Sequence, residues 1–365
     1  MSSFHQAVCD VSGKIDLFFE KYYSSINLCG PELDATHYQQ YPLMFACTHR
    51  SHIDYILVGY ELHKKGFKNM RFAAGDNLTR LPYVGPRFTS FGAFAVSRDN
   101  GFERNYVRKL CDSVISMLDR GEPIIVFPEG GRSYSGAMLD LKNGILGAAV
   151  LAQAKDPDRD VFLVPVAVSY ELIPDLPYFD LLLKGKQLKK KNNPFVKRIM
   201  GSLFYFGADL FAYLPLFLNK ARKKKFGNVY IDYKAPISVR SIVDVQKNRN
   251  ENARDDFSAH RFSMQQVSSY LQKEFFCLYR ILPVHLVSFL LKRGNDTAGK
   301  METQTEPLIE KLRENNRNTE LVSKLEPAEI VKQGLDILLK QNAISIKKEI
   351  VIRKQFIIDY YSAAV

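Results

Sequence analysis

The chain has 365 residues, 46% of them hydrophobic and 25% charged, which allows one large domain or two ordinary ones and excludes a disordered or fibrous class. Five cysteines (Cys9, Cys29, Cys47, Cys111 and Cys277) form an odd set without a C-x-x-C pair, so reduced thiols in a cytosolic setting are expected, not a disulfide framework or a zinc site. The formal net charge of +12 raises nucleic-acid binding, yet no recognition motif or aromatic-interleaved basic face accompanies it, and no nucleic-acid partner is expected.

No basic n-region leads into an apolar stretch at the start, so no signal peptide is expected. The first segment, VCDVSGKIDLFFEKYYSSINL, spaces Val11, Ile15, Phe18, Phe19, Tyr22 and Ile26 as an amphipathic helix would, predicting a helical cover over residues 1–40. A strand–helix alternation follows. LMFAC (43–47) reads as a buried strand and YILVGYELHKKG (55–66) as a helix, with RFAA and AFAV as further strands. NYVRKLCDSVISMLDRG puts Val107, Leu110, Cys111, Val114 and Leu118 on one helical face. PIIVF (123–127) is a strand, GILGAAVLAQAKDP a helix, VFLVPVAV (161–168) a strand, and NVYIDYKAP (228–236) the expected last strand. This order predicts an α/β fold: a mixed, mostly parallel sheet flanked by helices over 41–240. A helical region over 241–365 opens with a long helical stretch at 262–293.

Nearly all the positive excess lies between Lys184 and Lys225, which holds twelve basic residues against a single acid, Asp209. Inside it, IMGSLFYFGADLFAYLPLFL (199–218) is apolar apart from Asp209 and is interrupted by Pro215. Such a segment could span a bilayer, pack as a core helix, or lie on an anionic membrane surface; the bracketing cations favour the surface.

Two polar clusters follow buried strands. In CTHRSHIDY, His49 stands at the carboxyl end of the 43–47 strand, where open α/β sheets bind ligands, and Asp54 opens the next helix. That spacing lets the carboxylate fold back onto one imidazole nitrogen and leave the other free to take a proton. No G-x-S-x-G elbow supplies a protein nucleophile, so a substrate hydroxyl would be activated directly. Asp54 as a plain N-cap is the structural alternative. His49, His52 and Asp54 could also ligate a metal, but too few further ligands lie near, and none is expected. The second cluster is FPEGGRSYSG (127–136), where Gly130 and Gly131 permit a tight turn and Glu129 and Arg132 project from it, Arg132 offering a planar fork for a phosphate. FGAFAVSRD brings Arg98 to the same sheet edge.

These stretches, in this order, resemble the glycerolipid acyltransferases that carry a His-x4-Asp motif, particularly the bacterial membrane-associated glycerol-3-phosphate acyltransferases and the dihydroxyacetone-phosphate acyltransferases. HRSHIDY is similar to the first block, AAGDNL (73–78, with Asn77) to a connecting block, and GAFAVSR (Gly92, Arg98) to the second. FPEGGRSYSG is similar to the third and VPVAVSYE (Pro165) to the fourth. The likeness covers roughly 43–236 well and is fainter at 275–291 and in the C-terminal FIIDYYSAAV. Ala95 and Ser97 depart from the second block, where a bulky aromatic is usual. The resemblance implies catalysis by His49 and Asp54, with Arg98, Glu129, Gly130, Gly131, Arg132 and Ser133 at the substrate and Gly92, Asn77 and Pro165 in support. It implies transfer of an acyl group from acyl-CoA or acyl carrier protein to glycerol 3-phosphate, at the cytoplasmic face of a membrane and without a further cofactor. Lysophosphatidate or dihydroxyacetone phosphate are the alternative acceptors, and a catalytically inactive membrane-surface binding protein is the alternative class.

Overall fold

The structure, a computed structural model, describes residues 3–75, 85–97, 103–180 and 226–365. Strands β1 (Ser25–Cys29), β2 (Leu43–Cys47), β3 (Arg71–Gly75), β4 (Ala93–Val96), β5 (Ile124–Val126), β6 (Phe162–Tyr170) and β7 (Asn228–Tyr233) form one sheet in the order β1-β7-β6-β2-β5-β3-β4, with β8 (Ile237–Ser238) paired to β6. The run from β6 to β4 is parallel throughout, whereas β7 meets β6 antiparallel. The expected mixed, mostly parallel sheet is therefore the sheet observed.

The alternation along β2 shows why the sheet is sandwiched. Leu43, Phe45 and Cys47 join one apolar cluster and Met44 and Ala46 the other, all fully buried, as a central strand covered on both faces requires. The first face is covered by α1 (Ser3–Tyr22), α2 (Asp54–Lys64) and the C-terminal helices α6 (Pro283–Lys292), α8 (Pro327–Lys340) and α9 (Gln355–Ser362), all of which send residues into that cluster. Between α6 and α8 runs α7 (Ala298–Glu314). The second face is covered by α3 (Arg104–Asp119), α4 (Asn143–Lys155) and α5 (Arg261–Leu278). On α3 the expected stripe is the buried one, with Cys111, Val114 and Leu118 inward.

Three expectations are corrected. The 1–40 segment is not wholly helical: SINLC (Ser25–Cys29) forms β1, whose Ser25 pairs with Asn228, so Ile26 belongs to the sheet. NVYIDYKAP is not the last strand, because β8 follows it and an antiparallel hairpin, β9 (Ile344–Ile346) and β10 (Ile350–Ile352), lies in the C-terminal region. The 262–293 stretch is two helices, α5 and α6, parted at Pro283, which opens α6 at the position where its missing N–H is harmless. Nor does the C-terminal region stand apart from the sheet: Leu282, Val287, Leu338 and Ile358 share a core with Phe45 and Val164. Among the described residues, no helix is long and apolar enough to cross a membrane; the apolar stretch 199–218 and the basic run 184–225 lie outside them.

Candidate active site

The loop after β2 is tied to its neighbour by two bonds, Thr48 N–H to the Val166 carbonyl at 3.0 Å and Val168 N–H to Thr48 Oγ1 at 3.0 Å. Asp54, the first residue of α2 and fully buried, then gathers the loop around its carboxylate. Oδ2 accepts from Arg50 N–H at 2.6 Å and Ser51 N–H at 2.8 Å and lies 2.9 Å from His49 Nδ1, while Oδ1 accepts the Tyr170 hydroxyl at 2.6 Å. A carboxylate receiving two backbone N–H groups and a phenol is an acceptor on every side, so Nδ1 carries the imidazole proton and Nε2 is left to accept one. Burial pulls the His49 pKa below its ordinary value; the hydrogen bond and charge of Asp54 oppose that fall, and Arg132 and His52 add to it. The ring stacks on Phe127, centroids 4.3 Å apart.

The turn after β5 supplies the opposite wall. Gly130 adopts φ +68°, a left-handed conformation that favours glycine, and a Cβ there would come within 2.7 Å of the Lys142 side chain, which would have to shift. Glu129, expected at the substrate, is turned in the structure towards the His49 loop. It is 2% exposed; its carboxylate accepts from His49 N–H and Leu139 N–H, each at 3.0 Å, and pairs with Arg50 at 3.4 Å. Ser133 is likewise turned inward: it is fully buried, donating N–H to the His49 carbonyl and its hydroxyl to the Ala137 carbonyl. These two residues strap the first motif to the third. Arg132 is nearly buried as well, with Nη1 2.6 Å from His52 Nδ1 and 3.1 Å from Asp175, and with its guanidinium over the Tyr134 and Phe179 rings. Guanidinium only donates, so His52 Nδ1 is the acceptor in that pair.

A cavity of about 370 Å³ opens beside His49, between the carboxyl ends of β3, β4 and β5 and helices α3 and α4. Ala73, Val96, Leu110, Val126, Phe127 and Leu146 make its walls apolar; Ser97, Tyr106, Lys142 and the Gly130–Gly131 backbone add the polar groups. Arg132 and His52 do not line it. Of the supporting residues, Gly92 sits at φ +89° on the turn into β4, and Pro165 lies in β6 between the β8 and β7 pairings, where its carbonyl accepts from Lys234 and a missing N–H interrupts no ladder. Arg98 and Asn77 fall outside the described residues. Among those residues no group of His, Cys, Asp and Glu could hold a metal ion.

Sequence reading passed over Tyr170, Asp175, Arg50 and Lys142. The first three are buried polar partners whose contacts are made through tertiary packing, and Lys142 has no motif around it; the available signals were the place of Arg50 within the first motif and the charge of Asp175 among apolar neighbours.

The Acyltransferase family model matches residues 32–169, and that of the Glycerol-3-phosphate acyltransferase C-terminal region matches residues 214–362. Both matches agree with the resemblance of the chain's motifs to the glycerolipid acyltransferases. Curated relatives named glycerol-3-phosphate acyltransferase include those of Shewanella halifaxensis, 29% identical over 229 residues (62% of this chain, 26% of theirs), and Shewanella frigidimarina, 29% identical over 240 residues (65% and 27%). The chain thus spans about a quarter of the length of the curated relatives it matches. Among solved structures, the 1-acyl-sn-glycerophosphate acyltransferase PlsC from Thermotoga maritima aligns with 74% of this chain and 79% of its own, at 14% identity and TM-score 0.36.

Proposed function

We propose that this acyltransferase moves a fatty acyl group from an acyl thioester, carried by coenzyme A or acyl carrier protein, to the primary hydroxyl of glycerol 3-phosphate. The observation that carries the reading is the His49–Asp54 pair, 2.9 Å apart at the mouth of an apolar cavity. His49 Nε2 takes the hydroxyl proton as the oxygen attacks the thioester carbonyl. The tetrahedral intermediate, in which the C–O bond has formed, then expels the thiolate as the C–S bond breaks, and the thiolate receives that proton from the imidazolium. Asp54 holds the tautomer and balances the transient cation; general base catalysis of this kind contributes roughly 10² to 10⁴ in rate.

The apolar cavity suits the acyl chain, with Lys142 adding a cation at its wall. The acceptor phosphate belongs with Arg132 and Arg98, whose guanidinium forks match phosphate oxygens. Gly130 and Gly131 let the backbone approach the reacting centre. The basic stretch 184–225 holds the protein peripherally at an anionic membrane surface, each cation near such a surface adding about 1 kcal/mol. No cofactor beyond the thioester takes part.

Purified protein given labelled acyl-CoA or acyl carrier protein with glycerol 3-phosphate, dihydroxyacetone phosphate or lysophosphatidate tests this reading. Glycerol 3-phosphate should be acylated fastest. Preference for another acceptor would move the assignment within the family, and no transfer to any would leave a membrane-surface binding protein. Binding to vesicles that ignores salt and anionic lipid content would remove the membrane part.

A further inference from the structure

We infer that Tyr170 is a positioning residue for the catalytic base, acting through Asp54; the inference rests on the function proposed above. Tyr170 closes β6 and is 1% exposed, yet its hydroxyl crosses to α2 and donates to Asp54 Oδ1 at 2.6 Å. The other carboxylate oxygen is then the one shared by His49 Nδ1 and the N–H groups of Arg50 and Ser51. The phenol thereby fixes the rotation of the carboxylate plane, so that Oδ2 faces the imidazole, and it spreads part of the negative charge towards β6. A hydrogen-bonded partner behind a catalytic carboxylate orients the group that touches the base, as outer-shell partners orient metal-bound histidines.

Tyr170→Phe keeps the ring and its packing near Tyr23, centroids 6.5 Å apart, and removes only the donor. The expected loss in kcat is about tenfold, the usual weight of one buried hydrogen bond to a charged group, with KM for thioester and acceptor unchanged. The acid limb of the kcat profile should also move up, because an undiluted carboxylate stabilises the imidazolium more. The other groups acting on this pair stay the same in the variant: Arg132 and His52 towards His49, and Tyr23, Cys47, Arg50 and Tyr360 around Asp54.

A purely structural role would lower the folded fraction without moving the acid limb. In a His49→Ala background, Tyr170→Phe should therefore have no further effect on residual turnover. Wild-type kcat and an unmoved acid limb in Tyr170→Phe, beside an inactive His49→Ala, would overturn this inference alone. Normal turnover in both variants would overturn the proposed function as well.

Discussion

Glu129 gives the sharpest separation between a structural strap and a substrate contact. Glu129→Gln keeps the size of the side chain but removes its charge, and one amide NH2 must then face a donor. The carboxylate now accepts from His49 N–H and Leu139 N–H and pairs with Arg50, which is 1% exposed and lies over the Tyr279 ring. Burial works against the Arg50 charge, but Glu129 holds its pKa above the ordinary value, so the pair is a mutual dependence. Breaking a buried pair from one side costs about 3–5 kcal/mol. Orphaning one backbone N–H adds about 1–3. Against a native stability of roughly 5–15 kcal/mol, the variant should be severely weakened. At about 2–4 °C per kcal/mol for a chain of this order, the thermal midpoint should fall by about 10 °C or more. Activity well below the new midpoint should drop in kcat, because the His49 loop has lost its strap. A variant that melts with the wild type and shows only a raised acceptor KM would refute this and put Glu129 back at the substrate.

Gly136 sits at φ +83°, and a Cβ there would fall 1.9 Å from the Tyr360 carbonyl oxygen; Gly136→Ala should fail to fold or melt far lower, whereas Gly131→Ala, meeting nothing within 4 Å, should fold normally. Equal midpoints would mean that α9 does not pack against this loop. His285 is held neutral to about 3 by burial, with Arg317 and Arg50 adding to the effect, while the unfolded chain binds that proton near pH 6.5. Stability should therefore decline as pH falls from about 6.5 towards 3, and His285→Gln should flatten the slope in acid titrations followed by circular dichroism. Since the His49 pKa also lies below its ordinary value and only the neutral ring can act, kcat should stay level down to about pH 6.5 and fall below it. An acid limb above that pH would contradict the environment described for His49.

Much of the fold could be read because its signals are local. LMFAC, PIIVF and the α3 stripe each carry their burial pattern within a few residues, and parallel order follows from the helices between them. β1 was hidden because Ile26 continues the helical spacing of the preceding segment, while the partner that makes it a strand, Asn228, lies two hundred residues away in β7. The β9–β10 hairpin turns through Lys347, Lys348 and Glu349, with none of the usual turn residues to mark it. The site divides likewise. His49 and Asp54 meet through one short loop, so their spacing was informative. Arg132 was correctly read as a cation of the third motif, but sequence could not show Asp175 and His52 already holding it. The strap made by Glu129 was not legible, because a charge on a Gly-rich turn does not disclose whether it faces solvent or the loop beside it.

The central claim is that His49 Nε2 removes the acceptor proton. Its most direct measurement is turnover of labelled acyl thioester by His49→Ala, in protein whose thermal midpoint shows that it is folded. The account predicts a loss of roughly 10² to 10⁴ in kcat with the acceptor KM little changed. Turnover within a few-fold of the wild type would contradict it.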